Sequence, residues 1–319
     1  MGGMVDACAA LNLYREGRSS CGRPDDTRHT TKEEMMTAIQ ERAAMTNERA
    51  APWAAWDALA AGYDQYVAPQ EAELANEALA LAGLRAGQRF LDVAAGTGGL
   101  SLPAARLGAK VLATDWSPAM IERFEARVHE EGLADAEGRM MDCHALQIED
   151  NTFDVTGSQF GVMLVPDQPR ALQEMVRVTK PGGRVLVIAY GPPAELEFLH
   201  LFIGALQAVV PDFAGIPDDP PPLEFQVADP GVLRQRLVDA GLRDVQIEPS
   251  AERAVFRSGQ ELWDWVLYGN PLPGMLVGGL SDDQRATLKG VLDEMVRESA
   301  AATGRAIVEN RVNIGIGTK

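Results

Sequence analysis

From Ala51 onward, apolar side chains return at spacings of three and four: Trp53, Trp56, Leu59, Ala60 and Tyr63 mark an amphipathic helix with an aromatic stripe. Gly62 weakens it and Pro69 ends it. A second helix is predicted over AELANEALALAG, closed by Gly83. The period then changes. FLDVAA (90–95) is a short apolar run ending in GTGG, and LSLPAARLG behind it forms a helix with Pro103 tolerated in its first turn. AKVLATDW (109–116) reads as the next strand, and SPAMIERFEARVHEEG as a helix capped by Ser117, begun by Pro118, with Ile121, Phe124 and Val128 on one face. GRMMDC and FDVTGSQF come next as strands, DQPRALQEMVRVTK as a helix and GGRVLVIAY as a fifth strand. Strand and helix alternate every 20 to 30 residues or so, which predicts a doubly wound α/β domain with a mostly parallel sheet.

After Tyr190 the texture shifts. Residues 191–228, with Phe198, His200, Phe202, Phe213 and the prolines Pro217, Pro220, Pro221 and Pro222, make a poor strand or long helix and are expected to cap a pocket. DPGVLRQRLVDAGL is again helical behind Asp229, RDVQIEPSAERAVF reads as a strand, two helices are expected in 258–303, and RVNIGIGT closes the chain as a strand. Trp263, Trp265 and Tyr268 are read as packing residues ahead of substrate contacts. Residues 1–48 read as a mobile leader with a helix across KEEMMTAIQERAA; Met35 or Met36 is an alternative start, which leaves open whether 1–34 belong to the native protein.

Composition narrows the classes. The 319 residues are 46% hydrophobic and 24% charged, and 29 Lys+Arg against 46 Asp+Glu give a net charge of -17. That balance repels phosphate backbones and anionic membranes, so no nucleic-acid partner is expected. Three widely spaced cysteines (Cys8, Cys21, Cys143) build neither a disulfide framework nor a zinc ribbon and suit a reducing cytoplasm. No apolar stretch reaches membrane-spanning length before a charge breaks it.

In a parallel sheet the ligand sits at the carboxyl ends of the strands, so the residues just beyond each strand carry the chemistry. After the first comes Gly96-Thr97-Gly98-Gly99, where bare amides and the positive end of the next helix meet a ligand, or where sterics alone require glycine. After the second comes Asp115, 23 positions beyond Asp92, placed either for both hydroxyls of a ribose or to cap the helix at Ser117. After the third stand Asp142, Cys143 and His144, suited to an adenine edge; as a metal site they are disfavoured, because adjacent strand-end residues seldom converge on one ion. A nicotinamide dinucleotide site shares the first two features. Its G-x-G-x-x-G register would be Gly96, Gly98 and Ser101, imperfect at the third position, and Asp92 would stand near a pyrophosphate, whereas it suits an ammonium group.

FLDVAAGTGG, the acidic end of VLATD, MMDCHALQIEDNTFDV and EMVRVTKPGGRVLVIAYG together resemble the consecutive motifs of class I S-adenosylmethionine-dependent methyltransferases. The likeness is greatest to the branch with ubiquinone/menaquinone C-methyltransferases and many small-molecule methyltransferases. It spans about 90–191, and WDALAAGYDQYV resembles the helix that precedes the core in that branch. The resemblance implies a seven-stranded Rossmann-like methyltransferase fold and methyl transfer from S-adenosyl-L-methionine to a small organic acceptor. A non-catalytic protein that binds the cofactor is the alternative from another class, and an NAD(P)-dependent oxidoreductase a third. It further implies that Asp92 and the Gly96–Gly98 turn with Thr97 hold the methionine moiety and that Asp115 grips the ribose. Asp142 with Cys143 would meet the adenine, Gln159 would line the sulfonium end, and Tyr63 would cover the methionine part. Trp116 and Met120 complete the shell, and Ala94 stands where many members have glycine. No catalytic residue is assigned beyond His200, a candidate base for which a packing or surface role is the competing reading. The implied layout is one domain over 49–319: helices in 49–84, a cofactor-binding core in 85–190, caps at 191–228 and 258–303, and the rest of the sheet from 229–257 and 304–319.

Overall fold

The computed structural model describes residues 54–319 except 212, 214, 217, 218, 302 and 303, so the predicted leader and its helix lie outside the described residues. The described residues divide into two compact units: Trp56–Leu196 with Pro217–Arg253 and Glu309–Lys319, and Glu197–Ile216 with Ala254–Val308 and Ala54–Ala55.

A seven-stranded sheet organises the first unit. Its strands are β1 (Arg89–Val93), β2 (Lys110–Asp115), β3 (Ala136–Met140), β4 (Phe153–Gln159), β5 (Thr179–Tyr190), β6 (Arg243–Phe256) and β7 (Ala306–Thr318), in the order β3-β2-β1-β4-β5-β7-β6. The pairs β1–β2, β1–β4, β2–β3 and β4–β5 are parallel, and β5–β7 is antiparallel. Chain order reverses between β1 and β4, the topological switch point at which such sheets leave a crevice.

Helices α1 (Ala54–Gly62), α2 (Ala72–Ala82), α3 (Ser101–Arg106), α4 (Pro118–Glu131), α5 (Gln168–Val178) and α7 (Pro230–Asp239) accompany the sheet. Their ends obey the expected chemistry. Ser117 Oγ accepts the Met120 N–H at 3.1 Å, Asp167 Oδ1 the Arg170 N–H at 3.0 Å, and Asp229 Oδ1 the Gly231 and Val232 N–H groups at 2.8 and 3.0 Å. Gly83 closes α2 in the left-handed conformation at φ 70°. Instead of stopping at Gly62, the chain runs on through a π-helical turn (Tyr63–Val67) and a 3-10 turn (Ala68–Gln70) that absorbs Pro69 near its start. β3 ends at Met140, short of the expected Cys143: Met141 N–H makes the last bond to β2, at Asp115 O (2.9 Å), and Asp142 then turns the chain by taking the His144 N–H.

The second unit holds α6 (Glu197–Val209), α8 (Gly259–Gly269), α9 (Pro271–Gly278) and α10 (Asp282–Ala300). Thus 191–228 contains a thirteen-residue helix where the sequence suggested none of length, since Phe198, Leu201, Phe202, Ala205 and Leu206 recur at helical spacing inside the proline-bounded segment. Three helices fill 258–303 instead of two: Asn270 accepts the Leu272 N–H at 2.9 Å and Pro271 restarts the chain. Trp265 packs edge-on against Phe198 (5.3 Å) and Phe256 (5.8 Å), and Trp263, Trp265 and Phe202 are buried, as packing residues should be. Among the described residues no helix is long and apolar enough to cross a membrane.

The core under the sheet is tightly fitted. A Cβ on Gly157 of β4 would stand 2.8 Å from both Leu100 Cδ2 and Phe90 Cζ. Phe90→Ala is expected to cost about 3–5 kcal/mol in denaturant unfolding, and Leu107→Ala, on an exposed side chain, less than about 0.5 kcal/mol. Equal midpoints for the two variants would contradict this packing.

Candidate functional site

Asp92 stands on β1 between Ala113 of β2 and Gly157 of β4, at the switch point. It is 1% exposed; Oδ2 accepts the Ser101 hydroxyl at 2.6 Å, and Oδ1 is buried with no partner. Burial, aided by the nearby charge of Asp115 and opposed by Ser101, pushes its pKa up to about 7.

The chain then turns through Ala94 (φ 54°), Gly96 (φ 55°) and Gly98 (φ 96°). Ala94 sits in the left-handed region at a cost of roughly 1–2 kcal/mol, so its methyl group is accommodated with strain. A Cβ on Gly98 would fall on the Phe124 ring at a left-handed φ, so glycine is required there, while a Cβ on Gly99 would displace the Glu71 carboxylate. Gly96 N–H donates to Asp115 Oδ2 and Ser117 N–H to Asp115 Oδ1, each at 2.9 Å, which fastens the β1 turn to the tip of β2. Asp115 therefore both caps its own turn and faces the glycine elbow. Burial raises its pKa, against the amides of Ser117, Gly96 and Trp116. Thr97 is fully buried with an unpaired hydroxyl, and Met120 is buried at the start of α4.

Asp142, Cys143 and His144 form a tight turn. Asp142 Oδ1 receives the His144 N–H at 2.9 Å and lies 2.7 Å from His144 Nδ1, and the three ligand atoms lie within 4.8 Å of one another. Burial, then the charges of Asp142 and Asp115, push the Cys143 thiol up to about 12, which keeps it protonated. Asp142 thus engages the backbone and Nδ1 of His144, while His144 Nε2 is buried without a partner. His200 is exposed on α6, in the second unit.

Gln159 ends β4 with both amide atoms buried and unpaired, and Phe160 comes directly after it at φ 56°. A bulky residue there is a backbone outlier held by its surroundings: Phe160 N–H donates to Ile188 O at 2.9 Å, and its ring stacks on Tyr190 at 4.7 Å.

The sequence reading missed Glu71, which is 3% exposed between the two N-terminal helices. Its Oε1 accepts the Tyr63 hydroxyl at 2.6 Å, and Oε2 marks the spot a Gly99 Cβ would need, 3.7 Å from which lies Gln159 Nε2. Tyr63 Cε1 is 3.7 Å from the place of a Cβ on Gly96. Burial first, then the charges of Glu252 and Asp92, push Glu71 up to about 8, while Tyr63 and Gln159 oppose the shift. Glu252, on β6, was also missed. Its Oε2 accepts from Asn310 Nδ2 (3.0 Å) and the Tyr190 hydroxyl (3.3 Å), its Oε1 is unpaired, and burial pushes it up to about 7. A signal existed for two of these residues: Glu252 is in phase with buried Ala254 and Phe256 along β6, and Asn310 with buried Val308 and Val312 along β7. Glu71, before an amphipathic helix, reads as an ordinary first-turn acid.

A methyltransferase-domain family matches residues 91–187. An uncharacterised protein of Mycobacterium tuberculosis is 44% identical over 112 residues, which is 35% of this chain and 40% of that relative. A demethylmenaquinone methyltransferase of Renibacterium salmoninarum is 35% identical over 166 residues, covering 50% of this chain and 68% of the relative. The chain thus spans under half the length of the first of these and about two thirds of the second. In fold it is similar to Haemonchus contortus phosphoethanolamine N-methyltransferase 2, solved with phosphomonomethylethanolamine and S-adenosylhomocysteine (17% identity, TM-score 0.50, covering 86% of this chain and 60% of that one).

Because Asp92, Glu71 and Glu252 hold their protons more tightly folded than unfolded, their contribution to stability is complete near pH 4 and is lost as pH rises through about 7 to 8. The melting temperature of the ligand-free protein should therefore fall between pH 5 and pH 8.5, and Glu71→Gln should flatten that fall. Parallel pH profiles for the variant and the unmutated protein would refute the placement of Glu71.

Proposed function

The chain belongs to the class I S-adenosylmethionine-dependent methyltransferases, and from that membership we propose that it transfers a methyl group to a small organic acceptor in the cytoplasm. The observation that carries the reading is the glycine elbow at the switch point, flanked by Asp92 and Asp115 and left open by residues without side chains.

The residues fit the cofactor. The orphaned Oδ1 of Asp92 suits an ammonium group, and the remaining lone pairs of Asp115 suit ribose hydroxyls. The amides of the Gly96–Gly98 turn and the unpaired Thr97 hydroxyl would line the methionine part, covered by Tyr63. Trp116 and Met120 succeed Asp115 along the nucleoside, Asp142 and Cys143 would meet the adenine, and Gln159 would face the sulfonium. To these the geometry adds Glu71, a carboxylate beside Gly99 and Gln159 that favours a positive centre there.

Bound in that place, S-adenosylmethionine supplies a methyl group already activated on a sulfonium, displaced in line as its positive charge disperses. The chain's own work is then to orient the acceptor, where good placement is worth roughly 7–11 kcal/mol, and to exclude water. No catalytic triad is needed, and exposed His200 has no partner role in this scheme beyond a candidate base.

S-adenosylhomocysteine should raise the melting temperature and NAD(H) should not. Asp115→Ala should weaken S-adenosylhomocysteine binding by about 1.5–3 kcal/mol in calorimetry, the worth of hydrogen bonds to a charged group. Radiolabelled cofactor offered with a panel of quinols, phenols and amines should label at least one acceptor. Binding without any labelling would favour a cofactor-holding protein, and unchanged affinity in the Asp115 variant would remove that residue from the site.

A further inference from the structure

The nucleoside reading uses Asp92, Asp115 and Glu71 and leaves a second group of buried polar side chains unassigned. Glu252 of β6 is 1% exposed, with Oε2 held by Asn310 of β7 and Tyr190 of β5 and with Oε1 facing no donor. Tyr190 is mounted on an apolar wall through its stack on Phe160, the strained residue next to Gln159. Through Tyr190, which meets Glu252 at 3.3 Å and stacks on Phe160 directly after Gln159, this group adjoins the cofactor residues and belongs to the same first unit.

Charge decides what such a place can take. Among the described residues, the buried charged set is Glu71, Asp92, Glu174, Glu224 and Glu252, with no Lys, Arg or His. Only Asn310 and Tyr190 support the ionised form of Glu252, and only Tyr63 and Gln159 that of Glu71. A carboxylate buried without a cation is costly to ionise, and an anionic ligand placed beside it would add repulsion with no counter-charge. A ligand bringing a donor hydrogen or a positive charge satisfies Oε1 instead.

We propose that Glu252, Tyr190 and Asn310 form an acceptor subsite that binds an uncharged or cationic small molecule through an O–H or N–H group donated to Glu252, and that it rejects carboxylate and phosphate acceptors. The Phe160–Tyr190 stack gives the subsite an apolar wall for an aromatic or alkyl body. This assignment rests on the methyltransferase reading and fixes the substrate class that reading leaves open.

Three probes of matched skeleton test it by calorimetry on the full chain with S-adenosylhomocysteine bound: tyramine (cationic), tyrosol (neutral) and 4-hydroxyphenylacetate (anionic). Tyramine and tyrosol should bind, with the anion weaker by about 30-fold or more. Glu252→Gln should weaken tyramine by about 10-fold while leaving S-adenosylhomocysteine affinity within about twofold. The ranking in the unmutated protein needs no variant to fold. Preference for the anion, no binding by either tyramine or tyrosol, or tyramine binding untouched by Glu252→Gln overturns the subsite. Failure of S-adenosylhomocysteine to bind the unmutated protein would instead overturn the methyltransferase reading itself.

Discussion

Negative charge buried without a buried cation is the constraint that shapes the site. Glu174 and Glu71 show its force, being the same residue type at 4% and 3% exposure. Arg177 grips Glu174 with two nitrogens, at 3.0 and 2.8 Å, and holds its carboxyl below the usual range. Glu71 has the Tyr63 hydroxyl at 2.6 Å in place of the guanidinium, and burial carries its carboxyl up to about 8. Burial raises both carboxyls and raises Glu71 far more; for Glu174 the guanidinium outweighs it, and for Glu71 no cation does. Repeated at Asp92 and Glu252, that omission leaves three buried carboxyls that hold their protons up to about 7 or 8.

The scaffold determines where this charge gathers. Because β1 lies between β2 and β4, the residues at its end look into the crevice where the crossovers part to opposite sides. Small residues keep that crevice open: Gly98 yields to Phe124, Gly99 to Glu71, and Gly161 to the Ala94 carbonyl, 2.6 Å from where its Cβ would stand. Two non-glycine residues pay for it in backbone strain, Ala94 at the tip of β1 and Phe160 at the tip of β4. Surrounding hydrogen bonds hold both. The Ser158 hydroxyl donates to Val93 O at 2.7 Å and accepts the Val162 N–H at 3.1 Å, binding one strained tip to the other.

Legibility in the sequence tracks the range of the interactions involved. The alternation of FLDVAA, AKVLATDW and their helices, the caps Ser117, Asp167 and Asp229, and the elbow with its two aspartates are local features, and the fold carries them at the expected places. The methyltransferase resemblance stood on the same stretch. Lost were the features set by partners far away along the chain. Glu71 matters because Tyr63, Gly99 and Gln159 converge on it, and Glu252 because Asn310 and Tyr190 meet it from strands 58 and 62 residues distant. Helix α6 was hidden because the prolines after it mask the helical spacing of Phe198, Phe202 and Ala205.

The donors that hold each carboxylate divide the site further. Asp115 is held by backbone amides and Asp92 by a serine at the start of α3, so their positions are those of the strand tips and loops themselves. Such groups suit a ligand part that never varies, as a nucleoside and its amino-acid tail do not. Glu71 is held by a tyrosine hydroxyl, and Glu252 by a tyrosine hydroxyl beside the Asn310 amide; the hydroxyls pivot about their rings and re-pair when a better donor arrives. Each offers an oxygen not engaged by its tyrosine, and the charge of Glu252 helps hold the proton on Glu71. A positive centre bound near Glu71 would draw the proton off that carboxyl, and the Glu252 charge beside it, which otherwise holds that proton on, would favour the same cation.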